Sequence, residues 1–203
     1  MEEKKQLLRL SNIELLRIIS MLMVITLHFL GRGGVKENAT LFSSTWLIAT
    51  IWDGISIVCV NIYVLISGYF LVNSKFKIKK LLDLILQVFT YSIILYIVFV
   101  LIGKNTFSIA AFIKSFFPIL SYQYWFASAY VGMYILAPFV NKGLHAMTKK
   151  EHGTLCIVLI LLFTLYLPSK ALGQNGYGIV WMLTLYIIGA YLRMYYTPKK
   201  LKT

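Results

Sequence analysis

Long apolar runs separated by clusters of lysine constrain this chain more than any other feature. A run of roughly 20 mainly apolar residues matches the thickness of a bilayer core when wound as a helix. Six runs approach that length: about Ile13–Leu30, Thr45–Val72, Leu81–Ile102, Tyr124–Asn141, Thr154–Pro168 and Tyr177–Arg193. The fourth is the least hydrophobic. The runs do not alternate, and lipid requires each backbone group to be satisfied within its own segment, so helices are expected rather than strands. Charged residues make up only 13% of the chain and apolar ones 59%, too few polar groups to cover a water-exposed surface. The expectation is an all-α integral membrane protein of about six transmembrane helices, a single domain over 1–203 and part of a larger bundle.

The net charge of +13 would suggest nucleic acid in a soluble chain. Here its placement gives a different account. Fourteen basic residues fall in the N-terminal segment (Lys4, Lys5, Arg9), the second-to-third loop (Lys75, Lys77, Lys79, Lys80), the fourth-to-fifth loop (Lys142, Lys149, Lys150) and the C-terminal tail (Arg193, Lys199, Lys200, Lys202). Five occupy the other loops: Arg32, Lys36, Lys104, Lys114 and Lys170. The positive-inside rule therefore puts both termini in the cytoplasm, and no nucleic-acid partner is expected. The phenylalanine-rich stretch 105–123 reads as an outer, interfacial amphipathic segment. Cys59 and Cys156 lie in apolar runs and read as small core residues, with no metal-ligand spacing. His145 and His152 fall in a basic cytoplasmic loop and are expected to be solvated.

Ionisable groups inside lipid are costly and are candidate functional residues by default. The first run carries Glu14, Arg17 and His28. Arg17 and His28 are eleven residues apart, about 20° from whole turns and about 16 Å in rise, so they share one face. Arg17 then lies toward the cytoplasm and His28 toward the outside, on a stripe expected to line a cavity. Arg17 has the alternative of snorkelling to headgroups. His28 is either an interfacial histidine or a general base for a hydroxyl nucleophile. Glu14 either pairs with Arg17 or completes a capping box, Ser11-x-x-Glu14. Asp53 in the second run is a candidate to orient His28, to pair with another cation, or to make a polar contact between helices.

Four segments resemble the acyltransferase-3 family of membrane acyltransferases, in order along the whole chain. Asn12-Ile13-Glu14-Leu15-Leu16-Arg17, ending in His28-Phe29, matches the Arg, ten residues, His signature of the family's first helix. Ser67-Gly68-Tyr69-Phe70, followed by basic residues, resembles its Ser-Gly-Tyr/Phe segment. Tyr124-Trp125-Phe126 with Tyr130, Tyr134 and Ala137-Pro138 resembles its Trp-Phe…Tyr…Pro helix. Gly178 to Arg193, with Tyr186, Gly189 and Tyr191, resembles its Leu-Tyr-x-x-Gly-Ala-Tyr-x-Arg helix.

The family generally has about ten transmembrane helices, and this chain matches the first six, which suggests a C-terminally incomplete domain. The resemblance implies a multi-pass bacterial plasma-membrane enzyme that moves an acyl group onto hydroxyls of an envelope polysaccharide or other glycan. Acetyl-CoA or another acyl-CoA is implied as donor substrate, with no bound cofactor and no metal. It implies catalytic roles for His28 and Arg17; Glu14 and Asp53 are read from their placement as supporting residues, and Trp125, Tyr130 and Tyr134 either line the sugar site or, more simply, pack within the bundle. For His28 that role is general base or transient acyl carrier. A transporter or flippase of a lipid-linked glycan, and a non-catalytic fragment, are the competing readings.

Overall fold

The computed structural model describes residues 11–166 and 177–196, and every regular element among them is helical. The helices are α1 (Ser11–Arg32), α2 (Ser44–Ser56), α3 (Cys59–Leu71), α4 (Ile78–Leu101), α5 (Ile109–Ser115), α6 (Trp125–Ala146), α7 (Lys149–Leu161) and α8 (Ile179–Tyr195). A π-helical turn, Leu162–Tyr166, continues α7. The N-terminal lysines, the end of the fifth run and the C-terminal lysines lie outside the described residues.

Among the described residues, three spans are long and apolar enough to cross a membrane: Ser11–Arg32, Ser44–Leu71 and Ile78–Leu101. Helix α8 is apolar but has only 17 residues. The second span differs from the single long helix expected. It is divided into α2 and α3 by a turn at Ile57-Val58, where hydrophobicity continues but the helical ladder does not. The fifth run also begins earlier than hydropathy suggests. Thr148 and Glu151 form a capping box that starts α7 at Lys149, within the basic loop.

The described residues fall into two compact units, divided between Ser67 and Gly68. In the first, α1 packs on α2. Ser20 is buried on α1, its hydroxyl returned to the Leu16 carbonyl at 2.8 Å, as a small residue at a helix contact should be. The opposite side of α1 presents Leu15, Ile18, Leu22, Ile25 and Phe29 as an exposed apolar stripe, the surface suited to lipid.

In the second unit α8 packs on α6 and α7, and α4 packs on α5 and α6. One apolar cluster joins Val72, Leu144 and Ala190. Another joins Leu81, Val131 and Tyr134. Gly68 permits a close crossing: a Cβ there would overlap the Tyr186 carbonyl oxygen and stand 2.8 Å from its carbon. Small residues at such crossings let helix backbones approach. The expected interfacial stretch holds the short helix α5, with Phe112 stacked edge-on against Phe116 at 5.1 Å.

Candidate functional site

Helix α1 carries Arg17 and His28, the two residues to which the resemblance gives catalytic roles. Arg17 is half-buried, and its Nη1 donates to Glu14 Oε1 at 3.0 Å, one helical turn away. Its backbone carbonyl accepts the Tyr63 hydroxyl of α3 at 3.1 Å, which ties the Arg17 turn to the second span. Of the two roles open to it from sequence, Glu14 is seen pairing with Arg17.

His28 is exposed, and its Nδ1 lies 2.9 Å from the Val24 carbonyl oxygen. A carbonyl only accepts, so Nδ1 carries the hydrogen and the neutral ring keeps its lone pair on Nε2. One ring nitrogen is thereby committed to the helix backbone, and the other is left basic. That is the tautomer a general base needs, set by a bond within the same helix.

Asp53 is half-buried on α2 and pairs with Lys36 Nζ at 2.7 Å. Of the roles open to it from sequence, pairing with a cation is the one its geometry shows; its carboxylate is not what holds the His28 ring.

The three aromatic residues of α6 are not gathered at one point. Trp125 stands edge-on to Tyr177, centroids 4.6 Å apart, at the start of the helix. Tyr130 packs on Phe126 and lines an apolar cleft of about 370 Å3 between α4 and α6. Tyr134 is buried further along, its hydroxyl 3.4 Å from both the amide nitrogen and the carbonyl oxygen of Lys77 at the start of α4.

The Ser67-Gly68-Tyr69 segment and the α8 segment meet. Ser67 donates to the Tyr63 carbonyl at 2.9 Å, a bond within its own helix. Gly68 admits the Tyr186 backbone. Tyr69 takes the Arg193 guanidinium over its ring at 5.0 Å and accepts its Nη1 at 3.3 Å. Two of the four resembling segments are thus one helix crossing.

A model of the acyltransferase domain matches residues 10–203. This chain belongs to the acyltransferase-3 family. No curated protein and no solved structure matches it. The membrane acyltransferase identified in this way has polar residues beyond those its sequence singles out. Asn141 of α6 donates to the Leu71 carbonyl at 3.0 Å and accepts the Tyr186 hydroxyl at 2.8 Å, joining α3, α6 and α8. A lone Asn in an apolar run is the signal that would have marked it.

The two histidines expected to be solvated behave differently. His145 is exposed and donates Nε2 to the Val72 carbonyl at 3.1 Å. His152 is fully buried, a correction to the solvated loop expected there. Because α7 starts at Lys149, its fourth residue faces α8, where His152 donates Nε2 to the Ile187 carbonyl at 3.0 Å against the rings of Tyr191 and Tyr195. Burial holds its pKa below the ordinary histidine value, outweighing the opposing effect of that hydrogen bond.

Proposed function

We propose that this acyltransferase moves an acyl group, acetyl by preference, from cytoplasmic acyl-CoA to a hydroxyl of an envelope carbohydrate. The observation that carries the reading is on α1: Arg17 and His28 share a helix face, with His28 Nδ1 committed to Val24 and Nε2 left basic. In the reaction Nε2 takes the proton of the acceptor hydroxyl, whose oxygen forms a bond to the thioester carbonyl carbon. The carbon–sulfur bond breaks, and the thiolate leaves as the coenzyme's free thiol after taking the proton back from the imidazolium. Arg17 holds the donor's anionic or carbonyl groups with its forked guanidinium, as a guanidinium does better than an ammonium. A rise of about 16 Å along one helix suits a donor and an acceptor approaching from opposite membrane faces.

The test is acyl-CoA-dependent acetylation of membrane glycan in vesicles carrying His28→Ala or Arg17→Ala. His28→Ala should reduce the rate by about 10²–10⁴-fold, the usual contribution of a general base. If both variants are present at normal levels and retain the parent rate, the catalytic assignment fails. If the parent protein moves glycan across the membrane with no dependence on acyl-CoA, a transporter is the better reading.

A further inference from the structure

The span Ser44–Leu71 is apolar, and Asp53 stands inside it, nine residues after the start of α2 and about 14 Å along its axis. Its neighbours Ile51, Trp52 and Ile55 are exposed, a surface suited to lipid. A carboxylate at such a depth is costly unless it is paired or lines a polar path. The partner comes from the loop before α2: Lys36 Nζ donates to Asp53 Oδ2 at 2.7 Å. The pair is not sealed between helices, since 36% of the Lys36 side chain and 29% of the Asp53 side chain stay accessible.

The same loop grows out of the His28 turn. The Gly33 N–H is shared between the carbonyls of His28 and Phe29, at 3.2 and 3.1 Å, and the Lys36 N–H returns to the Leu30 carbonyl at 3.3 Å. Gly34, with φ of +74°, turns the chain between them, and the backbone and side-chain amides of Asn38 both donate to its carbonyl, at 3.0 and 2.9 Å. Backbone bonds thus anchor Lys36 on the last turns of α1, and the ion pair carries it across to α2. The pair, the exposed His28 ring and the loop between them lie at the end of the first unit that the positive-inside count assigns to the outside.

Both side chains keep unused hydrogen-bonding capacity. An ammonium has three N–H donors and a carboxylate two oxygens, and the contact uses one of each. Two donors and one oxygen are left side by side. A hydroxyl both donates and accepts, so two adjacent hydroxyls of a sugar ring match an anion and a cation held together. Hydrogen bonds to charged groups are also the stronger kind.

We propose that Lys36 and Asp53 bind the acceptor carbohydrate, Asp53 accepting from one hydroxyl and Lys36 donating to its neighbour, beside the turn that carries His28. The inference rests on the reading that His28 serves an acceptor hydroxyl, and it adds the pair that selects the sugar presented there.

The test uses the full chain in nanodiscs, with acetyl-CoA as donor and chemically de-acetylated membrane glycan as acceptor probe, each titrated in transfer assays. Asp53→Asn and Lys36→Gln should each raise the glycan KM about ten-fold, the effect of one hydrogen bond to a charged group, and leave the acetyl-CoA KM unchanged. Combining Lys36→Asp with Asp53→Lys re-forms the ion pair with its polarity reversed. This protein should unfold at the parent's temperature, yet its glycan KM should stay raised, because donors and acceptor have changed places. A pair that only ties down the loop would be restored by the exchange, so a parental glycan KM there overturns the inference. Asn38→Ala loosens the loop and leaves the pair, and should keep the parental glycan KM; an equal rise there overturns the inference whether or not the exchanged protein folds. Parental glycan KM in both single variants, or a shift confined to acetyl-CoA, does so too, and with His28→Ala still inactive it leaves the role of His28 standing. A parental rate in His28→Ala, or a parent with no acyl-CoA-dependent transfer, removes the underlying reading and the inference with it.

Discussion

Replacing Gly68 with alanine should destabilise the second unit far more than the small added volume suggests. The new methyl would overlap the Tyr186 carbonyl oxygen and stand 2.8 Å from its carbon and 2.9 Å from its Cα. These are backbone atoms of α8, so no rotamer change relieves the overlap. Restoring ordinary contact with the carbon alone, at 3.4 Å, needs a displacement of about 0.6 Å, and the oxygen requires more. Overpacking of this kind costs typically about 1–3 kcal/mol. The displacement also pulls the Tyr186 hydroxyl from Asn141, a 2.8 Å bond whose loss adds about 1 kcal/mol. The expected loss is therefore about 2–4 kcal/mol. Two controls have open space within 4 Å of a built Cβ: Gly54 in α2 and Gly143 in α6. Alanine at either should stabilise by roughly 0.5–1 kcal/mol through reduced backbone entropy. Thermal unfolding in detergent, followed by tryptophan fluorescence, compares the three. A Gly68→Ala protein that melts with the Gly143→Ala protein, above the parent, would refute the close-crossing argument.

Two further outcomes concern pH at α7. His152 has a pKa depressed by burial, so below its ordinary value of 6.5 the unfolded chain binds a proton that the folded chain resists. Stability should be fully present above pH 6.5 and fall as the pH drops toward the folded-state pKa; His152→Gln should flatten that acid limb in melts between pH 7 and 5. Glu151 has its pKa lowered by hydrogen bonds from the Thr148 backbone and side chain. Its contribution is therefore present above the ordinary carboxylate pKa of 4.5 and is lost as pH falls through the folded value. The difference in melting temperature between parent and Glu151→Gln should accordingly be clear at pH 7 and shrink as the pH falls below 4.5 through the folded-state value.

Several of these positions were legible before the fold was known, and others were not, for reasons that can be traced. Arg17 and His28 share a face because eleven residues is close to three turns of any α-helix, a local rule. Glu14 pairs with Arg17 for the same reason. The division between α2 and α3 was not legible, since Ile57 and Val58 are as apolar as their neighbours and hydropathy continues across them. His152 reads as a solvated loop residue beside Lys149 and Lys150; its burial depends on a capping box that starts α7 early and on α8 more than thirty residues later. Asp53 had several admissible partners, and Lys36, seventeen residues away, is the one the loop brings to it.

By itself the sequence determined the solvent, the element type and the family. Those properties follow from short windows of residues: enough apolar side chains to span lipid, a backbone that must satisfy itself, and motif spacings within single segments. Only the tertiary structure decided which segments meet. Gly68 against Tyr186, Arg193 over Tyr69, and Asn141 between Leu71 and Tyr186 are pairings over 45 to 124 residues of chain. They depend on shape and on the last unsatisfied hydrogen-bonding groups, to which a hydropathy pattern is blind.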